Sequence, residues 1–234
     1  MKTKTTIFVL LFLFTAFFAG CTHTNELAKF NLKASKVFFK NYVSPTAGRV
    51  RVDLHAGYGT DAKSLVKIIL AETGSEIIES GIEEKLKRAV NTDSLVEYIS
   101  DGIIGGLITY YTIDISEELE PDTRFIAETK LLGFKLVSNS GGIYADVSTE
   151  VTITDRNTAK IVWENRESSS IPLYDVVIDV FGSGTIRTTT SVINAIRLMN
   201  MSEDEMRVMI SNASEEAGRK QSETLREDIA SGHN

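Results

Sequence analysis

The chain of 234 residues carries 25 Lys and Arg against 32 Asp and Glu, a formal net charge of −7, with 42% hydrophobic residues and 3 Pro. That composition belongs to a globular protein, and its acidic balance disfavours nucleic acid and anionic head groups as partners. Cys21 is the single cysteine, so an intramolecular disulfide is excluded and stability has to come from burial.

At the N-terminus Lys2 and Lys4 precede an apolar run over residues 7–18, and Ala19 and Gly20 stand directly before Cys21. A run of roughly 12 residues, at about 1.5 Å each, falls well short of a hydrocarbon core of about 30 Å, so it reads as an export signal rather than a span. A basic start, a short apolar stretch and small residues before a cysteine make the pattern similar to the bacterial lipoprotein signal, with Phe18 where that signal usually has Leu. The resemblance implies that residues 1–20 are removed and that Cys21 is the lipid-attachment residue. Two or three acyl chains, palmitate among them, would then anchor the protein, and two chains are about what stable anchoring needs. Thr22 stands where lipoproteins kept at the inner membrane often have Asp, which favours the outer membrane, facing the periplasm. Loss of Lys2 and Lys4 takes the formal charge from −7 to −9, so the membrane contact is expected from the lipid and not from charge.

Residues 21–33 read as a lipidated tether and residues 34–234 as a single α+β domain. Residues 34–42 alternate loosely, whereas Arg49-Val50-Arg51-Val52-Asp53-Leu54 alternates strictly; with a turn signal at Ser44-Pro45-Thr46-Ala47-Gly48 between them, they read as a hairpin or two neighbouring strands. Beyond Gly57 and Gly59 the spacing turns helical through Leu65, Ile69, Ile77, Ile82 and Leu86. Asn91 is placed to cap a second helix with Leu95, Ile99, Ile103 and Leu107 on one stripe. Both helices are expected to lie against a sheet.

Residues 110–115 return to alternation, Pro121-Asp122 breaks it, and residues 124–138 switch face near Gly133, where a bulge is expected. Ile143, Ala145, Val147, Thr149, Val151 and Ile153 then alternate with polar partners, and Asp155-Arg156-Asn157-Thr158 turns the chain back into residues 160–164. This is a long antiparallel meander with one buried face. Residues 168–188, with Pro172, Gly182 and Gly184, read as a long functional or mobile loop. Residues 191–199 read as a short helix, and Ser202-Glu203-Asp204-Glu205 as a capping box. The last helix carries Met206, Ile210, Ala213, Ala217, Leu225 and Ile229 on one side, and its small residues point to close packing on the sheet or on a partner.

Gly57-Tyr58-Gly59-Thr60-Asp61-Ala62-Lys63-Ser64 approaches a phosphate-binding loop. Ala62, however, replaces the glycine that lets backbone amides wrap a phosphate, and Asp61 puts negative charge where phosphate would sit, so a strand-to-helix turn is preferred. Gly182-Ser183-Gly184-Thr185 near Arg187 reads as a turn rather than an anion nest. His23, His55 and His233 are too scattered to ligate a metal, no Gly-x-Ser-x-Gly elbow occurs, and pairs such as Glu83-Glu84, Glu117-Glu118 and Glu215-Glu216 read as solvated faces. No catalytic residue, metal or cofactor is expected. Trp163 reads as a core or rim anchor, and Tyr110, Tyr111 and Tyr144 as strand aromatics that could line a groove.

The stretch from Gly142-Ile143-Tyr144 through Thr154-Asp155-Arg156 to Val162-Trp163-Glu164-Asn165 resembles the strand, Asp-containing turn and Trp-bearing strand of several envelope lipoprotein families. These are the lipopolysaccharide-assembly lipoprotein, the ABC-transporter auxiliary lipoproteins and the relatives of the curli-secretion and penicillin-binding-protein-activator lipoproteins. The resemblance implies helices on one side of a small mixed sheet and a non-enzymatic accessory role in envelope assembly or transport, with another envelope protein as partner. The alternative is a lipoprotein that holds a lipid or other small apolar ligand between helices and sheet.

Overall fold

A computed structural model describes residues 23–47, 51–54, 75–139, 141–175, 194 and 196–231. Within them lies an α+β fold: a seven-stranded mixed sheet, mostly antiparallel, with helices packed on it. The strands are β1 (Thr24–Asn25), β2 (Lys36–Val43), β3 (Arg51–Leu54), β4 (Asp114–Ser116), β5 (Phe125–Asn139), β6 (Gly142–Asp155) and β7 (Lys160–Asp175). The main helices are α1 (Ser75–Ala89), α2 (Thr92–Tyr111) and α3 (Glu203–Ser231), with a 3-10 turn at Leu27–Lys29. The sheet order is β1-β7-β6-β5-β2-β4, and β3 pairs with β5 beyond the end of β2.

The meander of β5, β6 and β7 is the expected one, and β6 buries Ile143, Ala145, Val147, Thr149, Val151 and Ile153 while the residues between them stay partly exposed. The β6–β7 turn forms as the sequence suggests, with Asp155 Oδ1 accepting from the Asn157 backbone N–H at 2.8 Å. The face switch in β5 is a bulge: Leu131 opposes Thr149 and Gly133 opposes Ser148, leaving Leu132 as the extra residue. Buried positions accordingly change from Phe125, Ala127, Thr129 and Leu131 to Phe134, Leu136 and Ser138.

Of the two arrangements expected for β2 and β3, a hairpin or two neighbouring strands, the hairpin does not form. Both strands run parallel to β5, β2 along residues 125–131 and β3 along residues 135–138, so they follow one another on the same edge. The jog between them falls at the bulge. There Leu131 O accepts from Ser44 N at 2.9 Å, Leu132 O accepts from Thr46 Oγ1 at 3.3 Å, and Ala47 is fully buried.

Two further expectations are corrected. Tyr110 and Tyr111 end α2 and are not strand residues, because the helical stripe runs through Leu107 until Thr112 caps it in the left-handed region at φ 51°. Residues 168–175 are not loop: they complete β7 against β6, with Ser169 and Ile171 buried and the Ser148 and Ser168 hydroxyls 2.8 Å apart. The rest of that stretch, residues 176–188, lies outside the described residues, as do His55, residues 57–64 and His233.

Asn91 caps α2 as expected, its side chain accepting from Asp93 N at 3.0 Å, and Leu95, Ile99, Ile103 and Leu107 all face the core. At α3 the capping box is complete: Ser202 Oγ accepts from Glu205 N at 3.2 Å and Glu205 Oε2 accepts from Ser202 N at 2.8 Å. Its small residues meet another helix more than the sheet. A Cβ built on Gly218 would stand 2.4 Å from Ile99 O, and one on Gly102 would stand 2.7 Å from Gly218 C, so α2 and α3 cross backbone against backbone.

Candidate functional site: the N-terminal junction and two surface hollows

The stretch read as a tether is part of the folded body from Thr24 onward. Thr24 and Asn25 pair with Glu164 and Trp163 of β7, Val162 O accepts from Glu26 N at 2.8 Å, and Leu27 and Leu32 are buried. A register shift in β7 makes this docking available. Ile153 opposes Trp163 and Thr154 opposes Ile161, so Val162 is the extra residue, and the adjacent Val162 and Trp163 are both fully buried.

Asp228, in the last turns of α3, closes the junction. Its Oδ2 accepts from Trp163 Nε1 at 2.7 Å, its Oδ1 lies 3.2 Å from His23 Nε2, and its backbone carbonyl, near the end of the helix, accepts from Asn25 Nδ2 at 3.1 Å and Ser231 Oγ at 2.9 Å. The buried indole N–H needs an acceptor, and a helix end leaves carbonyls free for outside donors, so one residue serves both requirements. Sequence reasoning identified Trp163 as an anchor but missed Asp228; the signal was the unspoken need of a buried Trp for a partner.

A second polar tie lies deeper. Gln221 of α3 donates from Nε2 to Thr149 Oγ1 at 2.7 Å and accepts from Asn165 Nδ2 at 2.8 Å, and all three side chains are buried. This fixes α3 along β6 and β7 at one longitudinal position, because a slip of one residue would orphan every member.

Among the described residues, hollows of about 510, 650 and 310 Å³ open on the surface. The first lies over the β5 bulge, where Gly133 has no side chain, and is lined by Arg51, Lys135, Asp146, Ser148, Ser168 and Ser170 among others. Within it Lys135 Nζ reaches Asp53 at 3.2 Å and Asp146 at 3.7 Å. The second lies at the start of α3 between Arg197, Asn200, Asp204 and the apolar Met201, Val208 and Met209. Between helices and sheet the space is filled by Ile99, Ile103, Phe125, Val151, Ile153, Trp163, Ile210 and Leu225, all buried.

At the opposite edge of the sheet Lys36 Nζ binds Glu120 at 2.8 Å and Asp122 at 3.0 Å. Hydrogen bonding to Lys36 holds both carboxyls below their ordinary values and raises the Lys36 ammonium. Burial pushes the Tyr111 phenol up to about 12. Of the carboxylate pairs, Glu84 engages Arg88 and Glu216 engages Arg219 on exposed helix faces. Among the described residues no group of three or more His, Cys, Asp and Glu could hold a metal ion, and no helix is long and apolar enough to cross a membrane. Cys21, the one residue expected to carry chemistry, lies outside the described residues, two positions before His23.

No family model matches the sequence. No curated protein matches it either. Solved structures with similar backbones include a DUF330-family protein from Xanthomonas campestris, 7% identical over 86% of this chain and 90% of that one, at a TM-score of 0.37. The PelC dodecamer from Paraburkholderia phytofirmans is 12% identical over 76% of this chain and 98% of its own, at a TM-score of 0.32. A point-substituted form of the same dodecamer is 7% identical over 80% and 95%, at 0.31. At such scores the function has to be argued from this chain's own residues.

Proposed function

We propose that the protein is a lipid-anchored lipoprotein of the bacterial envelope, a non-enzymatic accessory component of an assembly or transport system, held at Cys21 and facing the periplasm from the outer membrane. The observation that carries this reading is the N-terminal signal itself: two lysines, a short apolar run and a small pair ending on Cys21. Among the described residues the first strand, Thr24–Asn25, comes only three positions after Cys21, which supports this reading.

The anchor is tested by mass spectrometry of the membrane fraction. The expected mature N-terminus is Cys21 with acyl chains, globomycin is expected to block its processing, and Cys21→Ser is expected to accumulate as precursor. An unmodified N-terminus on protein recovered from the cell interior would refute it. The accessory role is tested by crosslinking in intact membranes, which is expected to recover one defined envelope protein repeatedly. Labelling by a serine-directed active-site probe would overturn the non-enzymatic reading.

A second reading, a carrier of a small apolar molecule, is favoured by one feature, the hollow of about 650 Å³ with Met201, Val208 and Met209 in its lining. Unbranched thioether side chains adapt to irregular apolar ligands. Native mass spectrometry after mild extraction separates the two readings, since a carrier retains a co-purified lipid and Met209→Asp abolishes that retention.

A further inference from the structure

The chain joins its fold so soon after Cys21 that the joint selects a face of the body. We infer that the β1–β7 edge of the sheet, with the last turns of α3 beside it, is the surface that rests on the lipid bilayer, so that the sheet stands edge-on with β4 outermost. The inference rests on lipid attachment at Cys21 and deepens that reading.

A residue spans at most about 3.6 Å, so the Cα of His23 lies within about 7 Å of that of Cys21 whatever the path between them. The acyl chains must lie in the hydrocarbon, which holds the acylated residue at head-group level. His23 is in turn fixed to the body: Asp228 Oδ1 is 3.2 Å from its ring, and Thr24 and Asn25 are paired to β7. The leash is thus too short to let the body turn freely. In the order β1-β7-β6-β5-β2-β4 the far edge is five strands away, and at about 4.8 Å per step that is roughly 24 Å.

Charge does not compete with this arrangement. The near face mixes exposed Arg166 and Arg226 with exposed Glu223 and Glu227, while the chain as a whole is acidic, so association with a zwitterionic surface is set by the lipid and stays insensitive to salt.

Transfer of a diacylglyceryl group from a phospholipid, with the phosphate head group leaving and the thiol proton lost, alkylates the Cys21 thiol to a thioether, which leaves one introduced cysteine as the only thiol open to maleimide. Glu227→Cys, on α3 beside Asp228, and Glu117→Cys, directly after β4, both replace exposed residues. Each acylated variant is labelled with a fluorophore and placed in phosphatidylcholine vesicles carrying a head-group quencher. Quenching several-fold stronger at position 227 than at 117 is expected. A Gly-Ser insert of about ten residues between Thr22 and His23 is expected to erase the difference, because such a linker behaves as a random coil. Equal quenching at the two positions, or stronger quenching at 117, in protein whose acyl mass is verified overturns the orientation and leaves the anchor standing. Absence of the acyl mass overturns the anchor and the orientation with it.

Discussion

Adding a methyl group to Gly218 should destabilise the protein even though alanine is the better helix former. In an open helix interior, Gly→Ala gains about 0.8–1.0 kcal/mol. At Gly218 the new Cβ would stand 2.4 Å from Ile99 O and 3.0 Å from Ile99 C and Cα, backbone atoms of a helix that is itself capped and buried. Ordinary contact requires about 1 Å more, and α2 has no flexible atom there to move, so the helices must part along a crossing where Gly102 is equally tight. Overpacking of a filled core costs about 1–3 kcal/mol, and a backbone-to-backbone clash belongs at the upper end. The net loss is then about 1–2 kcal/mol, or about 2–8 °C in Tm for a domain of this size.

Gly105 supplies the internal control, because it lies on α2, three positions from Gly102, and a Cβ there meets nothing within 4 Å; Gly105→Ala should raise stability by up to about 1 kcal/mol. Gly106→Ala belongs between them, since its Cβ would strike the Ser222 hydroxyl at 2.0 Å, a side chain free to change rotamer. Thermal and urea melts followed by circular dichroism measure all three. Gly218→Ala melting at or above Gly105→Ala would refute the close crossing of α2 and α3.

Trp163→Ala should cost about 3–5 kcal/mol, since the ring is fully buried, and Trp163→Phe about 1–3 kcal/mol for the loss of the indole donor to Asp228; equal urea midpoints for Phe and wild type would place Asp228 elsewhere. Gln221→Ala should destabilise by about 1–3 kcal/mol because Asn165 and Thr149 lose their buried partner, and Thr149→Val in that background should recover part of it. In pH melts, Glu120, Asp122, Glu205 and Glu216 all have carboxyls held below their ordinary values, the first two by Lys36, the third by Ser202 and the fourth by Arg219. A lowered folded value means that the charged form is favoured on folding. Their contribution is therefore complete above the ordinary values of 4.5 for Glu and 3.8 for Asp, and is lost as pH falls through the lower folded values. Stability rising as pH drops below 4 would contradict that sign.

Much of the fold is written in local pattern, and what is not depends on partners far along the chain. The β6 alternation, the Asn91 cap, the Ser202–Glu205 box and the Gly133 bulge each follow from a few adjacent residues. Residues 168–171 carry three serines with little preference for strand, and only pairing with β6 makes them one. Likewise nothing near residues 36–54 announces that both strands will run parallel to β5, because parallel pairing joins segments more than eighty residues apart. Tyr110 and Tyr111 alternate like strand residues, yet the apolar stripe of α2 extends to them and prevails. At the candidate site Trp163 is legible in the sequence as an anchor, whereas its acceptor Asp228 is brought in from the far end of the chain.

Under the proposed lipid attachment at Cys21, that long-range joint makes the reach of the anchor a property of the folded state. Thr24 finds Glu164 across 140 residues of sequence, and His23 finds Asp228 across 205, so β1 is held only once β7 and α3 are in place. With β1 docked, about 7 Å of chain separates Cys21 from the body; with β1 released, the next firm attachment is the buried Leu27 and then Leu32, and the leash grows to roughly 20–40 Å at about 3.5 Å per residue. Under that proposal, two residues of strand and one carboxylate decide whether the body sits against a membrane or hangs from it. Asp228→Ala, which removes the acceptor shared by Trp163 and His23, therefore acts on that distance as well as on stability.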